Sequence, residues 1–231
     1  MANFILSKSL NILKKLIISY IFLLLIMSIF RLVFFIYYNP LTSLDGFYTD
    51  IFSAFWLGFR IDLTVIAYIQ IIPTILLIAF YYTNRLSVLN FFNKFLVYYI
   101  FICFSMVAIL LSADFGFYSY FKDHINVIFF GLFDDDTKAL IDTFVQNYNV
   151  FLILTIFISF LTVLFLIVKK ILNIPEQPIE SFFKLRNSVL IFSIILVLNF
   201  LAARGTLGMY PLGKMIPNVS TEDFINKVSQ N

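Results

Sequence analysis

Long apolar runs separated by short polar stretches dominate this chain. Five of them reach the length of about 20 residues that a helix needs to cross a hydrocarbon core about 30 Å thick. They lie near 16–38, 60–82, 95–113, 150–170 and 187–203. Gly and Pro are scarce, at 7 and 6 residues. That favours long unbroken helices over a β-barrel, whose strands would alternate in polarity and turn often. The pattern predicts an all-α integral membrane fold. A five-helix transmembrane bundle fills residues 1–203, with short interfacial helices, and residues 204–231 form an extracytoplasmic linker and short helix.

The second run has the most complex pattern. Its apolar character starts at Ile51 and lasts to Tyr82, about 46 Å of helix against a core of about 30 Å. Arg60 and Asp62 interrupt it. This predicts a surface helix over 47–57, then the span proper. Phe47, Tyr48, Phe52, Phe55 and Trp56 suit the headgroup layer. The connection 114–149 predicts a second surface helix. Asp134-Asp-Asp-Thr137 supplies its cap, and Leu140, Phe144 and Tyr148 form one stripe at i, i+4, i+8. In the tail, Ser220-Thr-Glu-Asp223 resembles a capping box that opens a helix from Glu222 to about Val228.

Orientation follows from Lys and Arg in the short loops. With the N-terminus in the cytosol, the inner segments hold Lys8, Lys14, Lys15, Arg85, Lys94, Lys169, Lys170, Lys184 and Arg186. The outer loops hold only Lys122 and Lys138, beside Asp45, Asp50, Asp123, Asp134, Asp135, Asp136 and Asp142. Five crossings from an inside start put the C-terminus outside. The first run is too long for a signal-peptide core and no small-residue cleavage site follows it, so it is expected to remain as a span.

Composition agrees with this picture. The chain is 61% hydrophobic with a mean hydropathy of +0.97, and 13% charged. A soluble protein this apolar could not cover its surface. The net charge of +3 is spread thinly, so no basic patch points to nucleic acid. Cys103 lies in an apolar run and reads as an inert buried thiol. His124, the sole histidine, reads as a solvated interfacial residue. Three consecutive carboxylates at 134–136 cannot converge on one ion, so they read as a helix cap rather than a metal site. There is no phosphate loop, nucleophile elbow or metal-ligand pair at helical spacing.

Ionisable residues at membrane depth are costly and so carry more information. Arg60 and Asp62 stand at the outer end of the second span, Asp114 at that of the third and Arg204 at that of the fifth. All four reach one leaflet. They form either a mutually paired network of helix-end anchors or a notch in which Arg60 and Arg204 hold a lipid phosphate while Asp62 and Asp114 orient them. Arg31, inside the first span, either snorkels outward or pairs within the bundle.

Several short segments, in order along nearly the whole chain, resemble the membrane domain of the lipoteichoic acid synthase family, phosphoglycerol transferases with a sulfatase-like domain. They are Gly58-Phe-Arg-Ile-Asp-Leu63, Ala113-Asp114 with Tyr118-Ser-Tyr-Phe121, Phe133-Asp-Asp-Asp-Thr137, Ala203-Arg-Gly-Thr-Leu-Gly208 with Pro211-Leu212, and Ser220 with Phe224-Ile-Asn226 and Asn231. The resemblance implies a bacterial cytoplasmic membrane and five spans. It also implies a large external catalytic domain that uses a Thr nucleophile and a divalent metal, usually manganese, on phosphatidylglycerol. No residue here matches that nucleophile or any metal ligand. This chain alone is therefore expected to be inactive as a transferase, to hold no cofactor, and to anchor and present lipid. Alternatives are a membrane subunit that recruits a separately encoded sulfatase-like enzyme, or a small transporter or channel component. The transporter reading rests on Pro73 beside Gln70, the one such break deep in a span.

Overall fold

The computed structural model describes residues 2–39, 46–125, 149–173, 185–206 and 219–230. These form six helices: α1 Ala2–Tyr38, α2 Tyr48–Tyr82, α3 Leu86–Phe121, α4 Val150–Leu172, α5 Leu185–Arg204 and α6 Asp223–Gln230. No strand occurs among the described residues. Four helices, α1 to α4, are long and apolar enough to cross a membrane. The apolar part of α5, Leu190–Arg204, is shorter. The surface helix expected after Asp134 lies outside the described residues, as do 207–218.

Two helices start well before their apolar windows, and for one reason. α1 begins at Ala2 rather than 16 because Ile5, Ser9, Ile12 and Leu16 form a buried stripe. α3 begins at Leu86 rather than 95 because Leu89, Phe92 and Leu96 do the same. These first turns are amphipathic, so a window average misses them while their packing holds them helical. Between the two stripes Lys15 donates to Asn93 Oδ1 at 2.9 Å, which anchors a cation at this end.

α2 corrects the expected break. It runs unbroken for 35 residues, about 52 Å, so the aromatic segment 47–57 is the start of the spanning helix and not a separate surface piece. Nothing in Gly58-Phe-Arg-Ile-Asp62 forces a stop, and the charges that looked like a boundary have partners along the helix. At the other end Thr83, Asn84 and Arg85 turn the chain directly into α3. Asn84 takes the left-handed conformation, φ 55°, which Asn tolerates better than most residues.

α2 packs antiparallel to both α1 and α5. α1 crosses α2 from Ser19–Gln70 to Arg31–Asp62, and α5 crosses α2 from Phe192–Tyr81 to Thr64–Ala202. α1 and α3, which are not consecutive, run parallel from Lys15–Asn93 to Tyr38–Phe115. The main core lies among α1, α2 and α3, with Leu164, Val168 and Leu172 of α4 and Phe192 of α5 completing it. Only 28–33% of the apolar windows of α1 to α3 is buried within the protein, and 6% of that of α4. The remaining apolar surface requires a lipid solvent. A second cluster caps the opposite end from Lys15: Phe34 of α1, Tyr118 of α3 and Val228 of α6, ringed by Phe35, Tyr38, Phe55, Phe115 and Phe224.

Pro73 sits buried in α2 and cannot donate to the carbonyl of Ile69. Tyr99 of α3 supplies the missing donor, with its hydroxyl 2.8 Å from that oxygen. Nearby, Gln70 Nε2 donates to Ser19 Oγ, Ser19 Oγ to Leu16 O, and Thr74 Oγ1 to Gln70 O, while Gln70 Oε1 is buried with no hydrogen-bond partner among the described residues. Tyr99→Phe is therefore expected to lower stability by about 1 kcal/mol, the usual worth of an interhelical hydrogen bond in lipid. Detergent-unfolding curves measure this. In a Pro73→Ala background the backbone can bond Ile69 itself, and the same substitution is expected to be nearly silent.

Candidate functional site

The charged residues singled out at membrane depth lie toward the aromatic end of the bundle, in three separate arrangements. The first is buried. Arg31 of α1 donates from one terminal nitrogen to Asp62 Oδ1 of α2 at 2.8 Å, and both side chains are 2% exposed. Gly58, one turn before Asp62, lies on the same face. A Cβ there would fall on the guanidinium carbon and two of its nitrogens. Gly58 thus leaves the space in which the guanidinium lies, and Asp62 supplies the charge that makes its burial tolerable. Of the two courses open to Arg31, the structure takes the pairing within the bundle.

The second arrangement joins α2 to α5. Arg60 donates from Nε and from a terminal nitrogen to Gly205 O, at 3.1 and 2.8 Å. Gly205 is in the left-handed conformation, φ 67°, and its N–H closes back on Leu201 and Ala202. This is a glycine-terminated helix end. A guanidinium there meets the negative end of the α5 dipole. Thr64 Oγ1 adds a bond to Ala202 O at 3.2 Å. Beside these contacts lies a pocket of about 360 Å³ lined by Trp56, Arg60, Leu63, Leu201, Ala202, Gly205 and Thr206. Its lining combines apolar side chains with a cation and backbone polar groups, a combination that suits an amphiphile.

The third arrangement belongs to Asp114. Its Oδ2 is 2.7 Å from His124 Nδ1, and its Oδ1 accepts the Ile125 N–H at 2.8 Å. The other ring nitrogen of His124 stands 2.8 Å from the carbonyl of Lys227 in α6. His124 is half-buried against Phe34 and Tyr118, which corrects its reading as a solvated surface residue.

Among the described residues, the four singled out from the sequence therefore share an end of the bundle but take their described partners in separate arrangements. Arg60 lines the pocket. Arg204, half-buried at the last position of α5, does not line it. Asp62 faces Arg31, and Asp114 faces His124, so neither carboxylate orients Arg60. Sequence reasoning missed three participants: Gly58, His124 and Lys227. The i, i+4 relation of Gly58 to Asp62, with a lone arginine inside the preceding span, was the available signal for the first pair. Nothing local marks His124 or Lys227.

Among the described residues no three of His, Cys, Asp or Glu stand together where they could hold a metal. Cys103 is half-buried in α3.

The fold and its end-clustered charges are those of a multi-pass α-helical membrane protein. Compared with known protein families, with curated proteins and with solved structures, the chain finds no match.

Proposed function

We propose that this chain is a membrane-anchoring domain that presents a phosphate-bearing lipid at the outer face of a bacterial cytoplasmic membrane, of the kind found in phosphoglycerol transferases of the lipoteichoic acid synthase family. In this reading α5 is a fifth crossing, the N-terminus is cytosolic and the aromatic end faces outward. Lys8, Lys14, Lys15, Arg85, Lys94, Lys169 and Lys170 support that orientation by the positive-inside rule.

The observation that carries the reading is the pocket at Arg60. An acyl chain fits along Leu63 and Leu201, and the phosphate meets the guanidinium, whose planar fork suits it. Arg204 contributes positive charge from the end of α5. Asp62 and Asp114 act at one remove, by holding the helix ends that carry these cations. The segments behind the family resemblance, Gly58-Phe-Arg-Ile-Asp-Leu63, Ala113-Asp114 and Ala203-Arg-Gly, all contribute to this end, which is further support. A transporter is the weaker reading, because the carbonyl freed by Pro73 is taken by Tyr99 and the charged groups lie toward one end of the bundle rather than midspan.

Phosphatidylglycerol retained by the purified full chain tests the lipid site. Arg60→Ala and Arg204→Ala are each expected to cut the retained amount several-fold, and unchanged retention in both removes the idea. A reporter fused after Asn231 that works only in the cytosol would remove the orientation.

A further inference from the structure

The short helix α6 is too short to be stable alone, since isolated helices under about 12 residues are marginal in water. It is held to the bundle partly by Ile225 and Val228, both buried. Phe224 stacks on Phe34 and Phe35 of α1, and a reciprocal exchange ties α6 to the turn after α3. Lys227 Nζ donates to Lys122 O at 2.6 Å, and the carbonyl of Lys227 lies 2.8 Å from His124 Nε2. That carbonyl is in the last turn of α6, where the helix's own hydrogen-bond ladder runs out and its dipole is negative.

The two partners of His124 have the same polarity. A backbone carbonyl only accepts. The Asp114 carboxylate, already accepting the Ile125 N–H, presents its other oxygen 2.7 Å from Nδ1. A neutral imidazole carries one proton and can donate to only one of them. Its second nitrogen would then set a lone pair against an oxygen. An imidazolium donates to both. Placing that proton on Asp114 instead leaves the proton count of the docked state unchanged. The rings of Phe34 and Tyr118, with centroids 5.3 and 5.5 Å from that of His124, flank the charge favourably.

We propose that His124 is a protonation-dependent latch that joins the end of α3 to α6 and releases α6 as the pH rises. The docked state holds one proton more than the released one, so docking weakens with increasing pH. The charged and titratable groups around the ring come from every neighbouring element. Tyr38 comes from α1, and Asp114 and Tyr118 from α3. Lys122 and Asp123 belong to the turn itself. α6 adds Lys227, 4.0 Å from Asp123, and Asp223, within electrostatic reach of Tyr118. α2 contributes the apolar Phe55 to the same cluster. His124 is the group here placed between two acceptors.

Because His124 is the only histidine, ¹⁵N-histidine labelling of the full chain in detergent gives a single-site readout of the ring. A spin label on Gln230→Cys, with Cys103→Ser, reports the mobility of α6. The ring signal and the label are expected to change together as pH rises, with a loss of the immobilised fraction. His124→Gln is expected to leave the label mobile at every pH. Lys227→Met keeps the backbone carbonyl, so it is expected to weaken docking while leaving its pH dependence. A label that stays immobile while the ring deprotonates overturns the latch, and so does release of α6 with no change at the ring. Both are read on chains with an intact His124, so a variant that fails to fold does not obscure the result.

Discussion

Replacing Asp62 by alanine is expected to destabilise the bundle by about 3–5 kcal/mol, the usual cost of stranding one member of a buried ion pair. Arg31 is 1% exposed and Asp62 likewise, so the arginine left behind has no water to turn to without repacking α1. Unfolding of the purified protein by titrated denaturing detergent measures the loss. Replacing both partners, Arg31→Met with Asp62→Leu, is expected to restore most of it, because two apolar chains of similar volume need no compensation in this interior. If Asp62→Ala costs less than about 1 kcal/mol, the value of an exposed pair, then the guanidinium is solvated and the pair is not buried as described.

Gly58→Ala is expected to cost nearly as much, about 2–4 kcal/mol, although it adds a single methyl group. The new Cβ lands on the guanidinium of Arg31. The guanidinium must move off α2, and its bond to Asp62 breaks with it. The prediction is therefore one of coupling. In the Arg31→Met/Asp62→Leu double variant the replacing side chain ends short of the guanidinium carbon, and the penalty is expected to shrink below about 1 kcal/mol. Equal penalties in the two backgrounds would mean that Gly58 serves some other contact. The same two experiments bear on the proposed lipid site, since the Arg31–Asp62 pair fixes the part of α2 from which Arg60 reaches α5.

Much of the helical architecture is legible in the chain. The runs near 16–38, 60–82, 95–113 and 150–170 each fall inside a helix long and apolar enough to cross a membrane. The tail helix expected from Glu222 is Asp223–Gln230, and Ser220 Oγ does accept a backbone N–H, that of Glu222 at 3.2 Å. The cap differs in detail. Asn226 reaches back with Oδ1 to the N–H groups of Val219 and Ser220, a bond set that no capping motif announces. What misled at the start of α2 was treating Arg60 and Asp62 as a boundary. A charge ends a span only if it cannot be satisfied where it lies, and here Arg31 and Gly205 satisfy both.

The candidate site was half legible. Arg60, Asp62, Asp114 and Arg204 were recognisable because ionised groups at membrane depth are expensive, and an expensive residue needs a partner. Which partner it has is a different kind of fact. Arg31 and Asp62 are 31 residues apart and His124 and Lys227 103, and one helical turn of sliding between helices would re-pair them all. His124 shows the limit most clearly. In the sequence it is a polar residue beside Lys122 and Asp123, and only the return of α6 gives its second nitrogen an acceptor.

By itself, then, the order of residues determined that this chain is helical and largely bathed in lipid, because hydropathy and periodicity are local and additive along the backbone. Tertiary structure alone decided how far each helix extends past its apolar window, that Gly58 accommodates Arg31, that Arg60 closes the end of α5 and that His124 bridges to α6. Those outcomes depend on the rotation and register of one helix against another, set by side-chain packing summed over the whole interface rather than by any one segment.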